Sequence, residues 1–151
     1  MMIEKAIVQD AESILSLQKL AYRSEAEIYE DFSIPPLTQS LEEIQKDFET
    51  HFFLKAVIHE ELIGSVRAHL KEGTCYVGRL IVHPKYQHQG IGTQLMRRIE
   101  EIFREAQRFE IFTGHQSRRN LHLYEKLGYR RFKTVEANEK LTLVYLEKVQ
   151  P

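Results

Sequence analysis

A glycine-containing turn follows an apolar segment and precedes a helical pattern in the middle of the chain. The turn holds Gln87, Gly90 and Gly92 in the spacing Gln-x-x-Gly-x-Gly. The first backbone N–H groups of a helix have no partner within the helix, and glycine lets a ligand approach the backbone closely. The spacing therefore predicts a cradle for a phosphate or pyrophosphate, bound by backbone amides near residues 89–93.

Two common phosphate-binding loops do not fit this turn. The spacing Gly-x-x-x-x-Gly-Lys-Ser/Thr of nucleoside triphosphatases is absent, and Leu95 stands where a dinucleotide-binding fingerprint has glycine or alanine. A nucleotide-phosphate-binding domain of either kind is therefore disfavoured. The simplest structural alternative is that Gly90 and Gly92 only shape the start of a helix.

The turn, with Val82-x-Pro84 at the end of the strand before it, resembles the acyl-CoA-binding motif of the GNAT superfamily of N-acetyltransferases. A second segment, Tyr124-Glu-Lys-Leu-Gly-Tyr129 preceded by Asn120, looks like the helix near the C-terminus of that superfamily. Together the two segments extend the resemblance over nearly the whole chain. It implies a GNAT-like fold and acetyl-CoA as the acyl donor.

The resemblance also implies roles for individual residues. Tyr124 takes the position of the general acid that protonates the departing thiolate of coenzyme A, and a tyrosine with a pKa of about 10 stays protonated at neutral pH. The turn would hold the pyrophosphate, and the strand before it would offer backbone groups to the pantetheine arm and the acetyl carbonyl. The implied cofactor-binding residues are Leu80, Ile81, Val82, Gln87, His88, Gln89, Gly90, Ile91, Gly92, Thr93 and Asn120.

Two residues near these motifs have a local structural explanation. Many members of the superfamily place an asparagine seven residues before the tyrosine, where this chain has Ser117. We expect Ser117 to cap the N-terminus of the helix through its hydroxyl. We expect Gly78 to permit a bulge that splays the strand away from its parallel neighbour.

The N-terminal third of the chain supplies the candidate acceptor site. Residues 1–50 carry a net charge of −7 and residues 51–151 a net charge of +6, which suggests an anionic ligand held by the second part beside an acidic wall from the first. Direct transfer needs a neutral amine, and therefore a base or a water chain. The candidates are Glu25, Glu27, Glu30 and Asp31, whose alternative role is a solvated helix face. The charge weakly favours a cationic acceptor among small-molecule or peptide amines.

Several other classes of function are disfavoured. The histidines and the single cysteine, Cys75, lack metal-ligand spacing and a nucleophile pattern, so we expect neither a metal nor an acyl-cysteine intermediate. Glutamates are interspersed among the arginines and the isoelectric point is near 6.7, which argues against nucleic acid. We expect no membrane span, no signal peptide and a cytoplasmic location.

The hydrophobic periodicity predicts one domain over residues 1–151 with a mixed α/β fold. Its central sheet is mixed but mostly antiparallel, with about seven strands and about four flanking helices. Helices are expected after Asp10, over 41–48, from Ile91 and over 117–127, with a break at Pro35-Pro36. Strands are expected over 3–8, 53–58, 62–70, 75–82, 109–113, 129–135 and 141–146.

Two hypotheses of different class follow from these patterns. The first is an N-acetyltransferase in which an acceptor amine attacks the thioester of acetyl-CoA directly. The second is a non-catalytic acyl-CoA-binding sensor or protein-interaction module that uses the acidic N-terminal face. The final strands could also supply the edge of a homodimer.

Overall fold

The computed structural model describes Met1 to Pro151 and contains one sheet of seven strands in the order β1-β2-β3-β4-β5-β7-β6. β4 and β5 run parallel, and all other neighbouring strands are antiparallel. This confirms the predicted mixed sheet and its strand count. The strands are β1 (Met2–Lys5), β2 (Phe52–Ile58), β3 (Glu61–Lys71), β4 (Thr74–Val82), β5 (Arg108–Gly114), β6 (Arg130–Glu136) and β7 (Thr142–Val149).

Six α-helices flank the sheet. The four predicted helices correspond to the first, fourth, fifth and sixth of them, and two further short helices lie in the N-terminal region. No helix combines the length and the apolar composition that a bilayer crossing requires. The helices are α1 (Ala11–Ala21), α2 (Arg23–Tyr29), α3 (Pro35–Thr38), α4 (Leu41–Thr50), α5 (Ile91–Ile102) and α6 (Arg118–Lys126).

The N-terminal helices have identifiable start signals. α4 begins with a capping box in which Ser40 Oγ accepts from the Glu43 amide at 3.1 Å and Glu43 Oε1 accepts from the Ser40 amide at 2.9 Å. Pro35 and Pro36, predicted only as a break, open α3, because proline is tolerated in the first helical turn. α2 was not predicted from hydrophobic periodicity, because only Ala26 and Tyr29 of its seven residues are buried.

The core is divided by the sheet. Side chains alternate across β2, so Leu54 joins the larger core of 19 residues beneath α5 and α6, while Phe53 joins a smaller core with Ile14 of α1 and Ile44 of α4. The helix predicted from Ile91 is α5, and its apolar residues Leu95 and Ile99 are fully buried in the larger core. This packing fixes α5 and α6 against β4 and β5, where the predicted site lies.

Candidate functional site

The parallel strands β4 and β5 diverge part-way along their length. They pair only through Thr74↔Arg108, Cys75↔Phe109 and Tyr76↔Glu110, although β4 continues to Val82 and β5 to Gly114. Beyond that point β5 stays paired with β7, and β4 stays paired with β3. The backbone edge of β4 that faces β5 is therefore left unpaired, and an open cleft separates the two strands.

A β-bulge in β4 accompanies this divergence. Gly78 pairs with Arg67 and Ile81 pairs with Ser65, so two residues of β4 lie opposite one residue of β3. The predicted bulge is confirmed, but Gly78 does not supply its unusual conformation. Arg79 adopts the left-handed backbone, with φ of 49°. The bulge thus lies just beyond Tyr76, the last residue of β4 that pairs with β5.

The glycine turn forms the start of α5 as predicted. Gly90 has φ of 79° and occupies the N-cap, and the first helical bond runs from the Gln94 amide to the Gly90 carbonyl at 3.0 Å. The amides of Ile91, Gly92 and Thr93 therefore have no partner within the helix. A Cβ placed on Gly90 would meet no atom within 4 Å, so the space beside Gly90 at the start of α5 is open. An anionic phosphate fits such a site.

Gln87 in the turn makes hydrogen bonds that connect the turn to the rest of the fold. Gln87 Nε2 donates to the Val82 carbonyl at 3.3 Å, and the Arg119 guanidinium donates to Gln87 Oε1, so Gln87 ties the turn to β4 and to α6. His88 and Gln89 are exposed, and His88 has φ of 66°. The turn therefore has an exposed backbone and one neighbouring positive charge, that of Arg119.

The helix that follows the turn packs closely on the site. The Ile91 side chain is buried in the core, which leaves its amide as the group available to a ligand. A Cβ placed on Gly92 would lie 3.4 Å from Leu123 Cδ2 and 3.6 Å from Leu80 Cδ2. Gly92 therefore also serves the close packing of α5 against α6 and β4.

Tyr124 projects from α6 into the protein and is 3% exposed. Burial raises the pKa of its phenol, and the neighbouring groups Tyr22 and Glu25 raise that pKa further. The phenol therefore remains protonated at neutral pH. Tyr22 and Glu25 come from the other end of the sequence, so the fold brings the N-terminal helices to the predicted general acid.

Glu25 of α2 accepts two hydrogen bonds from residues at the start of α6. Ser117 Oγ donates to Glu25 Oε2 at 2.6 Å, and Asn120 Nδ2 donates to Glu25 Oε1 at 3.1 Å. Asn120 Nδ2 also lies 3.2 Å from Thr113 Oγ1. The predicted capping bond of Ser117 is wrong, because its hydroxyl serves Glu25 and makes no bond to the first turn of α6. The contact of Asn120 with the cofactor stays a prediction.

A buried tyrosine continues this network. Tyr29 Oη accepts from the Gln116 amide at 2.8 Å and lies 2.8 Å from Ser117 Oγ. Since the Ser117 proton is directed to Glu25, Tyr29 donates to Ser117. A Cβ on Gly114 would lie 2.0 Å from Tyr29 Oη, so only glycine admits the phenol here. The network gives Glu25 a defined position.

The other predicted acidic residues do not join the site. Glu27 is exposed on α2, Glu30 pairs with Lys140 at 3.5 Å, and Asp31 accepts from Ser33. No group of three or more His, Cys, Asp or Glu side chains is arranged to hold a metal ion. Among the four candidate carboxylates, only Glu25 shares the neighbourhood of Tyr124.

The sequence profile of the acetyltransferase (GNAT) family matches residues 12–129 of the chain. The chain belongs to the acetyltransferase (GNAT) family. The match covers α1, the cleft strands and both helices that carry the predicted motifs, and so it confirms the resemblance.

The fold of this GNAT chain resembles those of solved acetyltransferases. A ribosomal-protein-alanine N-acetyltransferase from Brucella melitensis has 15% identity and a TM-score of 0.80, with coverage of 99% of this chain and 100% of that chain. A PaiA N-acetyltransferase from Thermoplasma acidophilum, in complex with coenzyme A, has 21% identity and a TM-score of 0.70, with the same coverage. At these identities the likeness concerns the fold.

A curated relative is much longer than this GNAT chain. UPF0157 protein YqkA from Bacillus subtilis (strain 168) is 29% identical over 133 residues, which is 88% of this chain and 38% of that protein. The chain thus spans well under half the length of this relative.

Sequence reasoning missed several polar residues of the GNAT site. The sequence analysis assigned no role to Tyr22, Tyr29, Arg67 or Arg79. The available signal was an arginine at the bulge of a strand that is otherwise nearly uncharged, over Thr74–Val82.

Proposed function

We propose that the chain is an acetyl-CoA-dependent N-acetyltransferase that moves the acetyl group to a primary amine by direct attack. The observation that carries the proposal is the coincidence of three features at one place. β4 parts from β5 after Tyr76, the start of α5 has unpaired amides and open space beside Gly90, and Tyr124 lies buried on α6 near Tyr22 and Glu25 of the N-terminal region. Family membership supplies the acyl donor.

The turn and β4 would bind the donor. The amides of Ile91, Gly92 and Thr93, with Arg119 beside them, suit a pyrophosphate, because a helix N-terminus and a guanidinium both favour negative charge. The unpaired edge of β4 at Leu80 and Val82 can hydrogen-bond the amides of the pantetheine arm. Binding of this kind uses backbone groups, so it depends on the cleft rather than on the side chains of β4.

The chemical step conserves atoms and charge. The amine nitrogen attacks the thioester carbonyl, the C–N bond forms, and the C–S bond breaks to release the thiolate. Tyr124 donates its proton to the sulfur and is left as a phenolate. Glu25 orients the amine and receives the proton that leaves the nitrogen, because each of its oxygens keeps a lone pair beyond the bonds from Ser117 and Asn120. Transfer of a proton from Glu25 back to Tyr124, directly or through water, returns both groups to their starting states.

The first test is thermal unfolding with acetyl-CoA and, as a control, ATP. A ligand at 100 times its dissociation constant stabilises a protein by about 2.7 kcal/mol, which corresponds to roughly 5–10 °C for a domain of this size. We expect a shift with acetyl-CoA alone. Release of coenzyme A with a panel of amines then distinguishes the enzyme from a binding module, which would show the shift and no release. No shift and no direct binding of acetyl-CoA would refute the proposal.

A further inference from the structure

Two arginines lie side by side on the part of the sheet that faces the N-terminal helices. Arg67 of β3 pairs with Gly78 in the β3–β4 register, and Arg79 follows at the bulge. Their charges act on each other, and both guanidinium groups are half-buried. Like charges in such a position are unfavourable unless something neutralises them.

The protein supplies one carboxylate for these two cations. Arg67 Nη1 donates to Asp47 Oδ2 at 2.6 Å, and the side-chain Nε2 of Gln39 donates to the same oxygen at 2.7 Å. Arg79 Nη1 is held at 3.1 Å by Gln39 Oε1, a neutral acceptor that also receives a bond from Gln18 at 3.0 Å. Asp47 is therefore bound to Arg67, and Arg79 makes no ion pair of its own although it lies within electrostatic reach of Asp47.

Arg79 keeps most of its hydrogen-bonding capacity. A guanidinium carries five N–H donors, and this one uses a single donor within the protein. The fork of remaining donors matches a carboxylate, which arginine binds in a bidentate manner. The contacts with Gln39 and, through it, with Gln18 and Asp47 hold the guanidinium in place, so the site is organised before a ligand arrives.

Arg79 lies close to the groups assigned to the reaction. Tyr22 is within electrostatic reach of both Arg79 and Glu25, and Tyr124 is within reach of Tyr22 and Glu25. In the chain Arg79 directly precedes Leu80, where β4 faces the cleft. A positive group, Arg79, and a negative group, Glu25, are thus both near Tyr22.

We propose that the acceptor is a primary amine that also carries a carboxylate, with the carboxylate bound by Arg79 and the amine directed toward Glu25. A free amino acid and a peptide with an acidic residue next to its N-terminus share this chemistry. The inference rests on the proposed acetyltransferase function and specifies its substrate class. It differs from the cationic acceptor suggested by net charge, because the local charge beside the cleft includes an arginine that makes no ion pair of its own.

The experiment compares matched amines in the release of coenzyme A from acetyl-CoA. One arm contains the free amino acids, the second contains the same amino acids as C-terminal amides, the third contains short peptides with and without an acidic second residue, and the fourth contains polyamines. We expect kcat/KM to be about 10- to 100-fold higher for the carboxylate than for the matched amide, the range for a hydrogen bond to a charged group. The third arm separates free amino acids from peptides.

Variants of Arg79 connect the preference to the proposed site. Arg79→Gln should raise KM about 10-fold or more for the carboxylate substrate while changing kcat/KM for the matched amide little. Arg79→Lys, which keeps the charge, should recover part of the loss. Arg97→Gln, an exposed position on α5, is the control. Unfolding midpoints and acetyl-CoA affinity of each variant show that the donor site is intact.

Several outcomes overturn the inference. Equal kcat/KM for acids and amides, a preference for polyamines, or equal loss for both substrates in Arg79→Gln would each do so while leaving the acetyltransferase function standing. If no amine is acetylated, calorimetry of the carboxylate-bearing amines with the protein–coenzyme A complex decides, and absence of Arg79-dependent binding overturns the substrate class. Failure to bind acetyl-CoA is a different result, because it refutes the proposed function itself.

Discussion

Ser117 Oγ donates a hydrogen bond of 2.6 Å to Glu25 Oε2 and so joins two helices that are far apart in the sequence. Tyr29 donates to Ser117 in turn, and the Gln116 amide donates to Tyr29. The donors in this series of hydrogen bonds all point toward the Glu25 carboxylate, and hydrogen bonds in such a series strengthen one another. The relationship gives Glu25 a fixed place beside Tyr124 and motivates the first prediction.

Glu25→Gln should lower kcat/KM about 10- to 100-fold, because the amide cannot accept a proton from the acceptor amine. Acetyl-CoA affinity should change little, since the donor contacts lie on β4 and α5. The measurement is steady-state release of coenzyme A together with a binding titration. Glu27→Gln, an exposed position two residues along the same helix, should behave as wild type. A Glu25→Gln enzyme with full activity would remove Glu25 from the reaction.

Tyr124→Phe should lower kcat about 100-fold or more, the low end for loss of general acid catalysis, with acetyl-CoA affinity preserved. The substitution removes one hydroxyl from a buried ring and keeps the packing of α6. Tyr145→Phe on β7 is the matched control, because that ring packs against Phe112 on the sheet away from the cleft. Unchanged kcat in Tyr124→Phe would exclude the phenol as the acid.

Gly90→Val should weaken acetyl-CoA binding about 10-fold or more, because a side chain would occupy the open space beside Gly90 at the start of α5. The backbone at φ of 79° also strains a residue with a Cβ, so stability must be measured alongside affinity. Gly73→Val provides a control with φ of 82° in the β3–β4 hairpin. Both variants should lose stability, and only Gly90→Val should lose affinity. Equal affinity in the two variants would contradict the placement of the pyrophosphate.

Cys75 should be inert toward thiol reagents in the folded protein. Burial raises the pKa of its thiol to about 12, with a further contribution from Glu100, so the thiolate is scarce at pH 7–8. Iodoacetamide labelling followed by mass spectrometry should modify the protein only after denaturation, and acetyl-CoA should leave no acetyl group on the protein. Rapid labelling of the native chain would show that Cys75 becomes accessible.

Stability should decrease as the pH falls below about 6.5, the pKa of histidine in an unfolded chain. Burial lowers the pKa of His51 and His69 in the folded state, and Arg67 lowers both further. The unfolded state therefore binds more protons than the folded state in this range, and the free energy of unfolding decreases as the pH decreases. Urea titrations between pH 5 and 8 should show a shallower decline in His51→Gln/His69→Gln. His122→Gln on the exposed face of α6 is the control, and equal slopes would contradict the assignment.

Local patterns were sufficient for much of the architecture. Most strands and α5 were predicted closely because apolar residues recur with a period of two or 3.6, and because Gly90 is typical of a helix start. The first strand, predicted over 3–8, is shorter, because it ends at Lys5 and a 3₁₀-helix forms over Val8–Asp10. α2 was missed because only two of its residues are buried. The hydroxyl of Ser117 was misassigned because a serine before a helix can bond either to the first turn of that helix or to a distant carboxylate, and the local sequence is the same in both cases. The bulge was expected at Gly78 because glycine tolerates unusual backbone conformations, whereas in the structure Arg79 has the left-handed backbone at the bulge.

The sequence by itself determined the family, the glycine turn at the start of α5 and the place of Tyr124 on a helix, since each depends on residues close together in the chain. Only the tertiary structure decided which groups meet at the cleft. The divergence of β4 from β5, the approach of Glu25 to Ser117 and the placement of Arg79 without an ion pair of its own all depend on contacts between distant segments. Such contacts follow from the packing of the whole chain, and local periodicity carries no information about them.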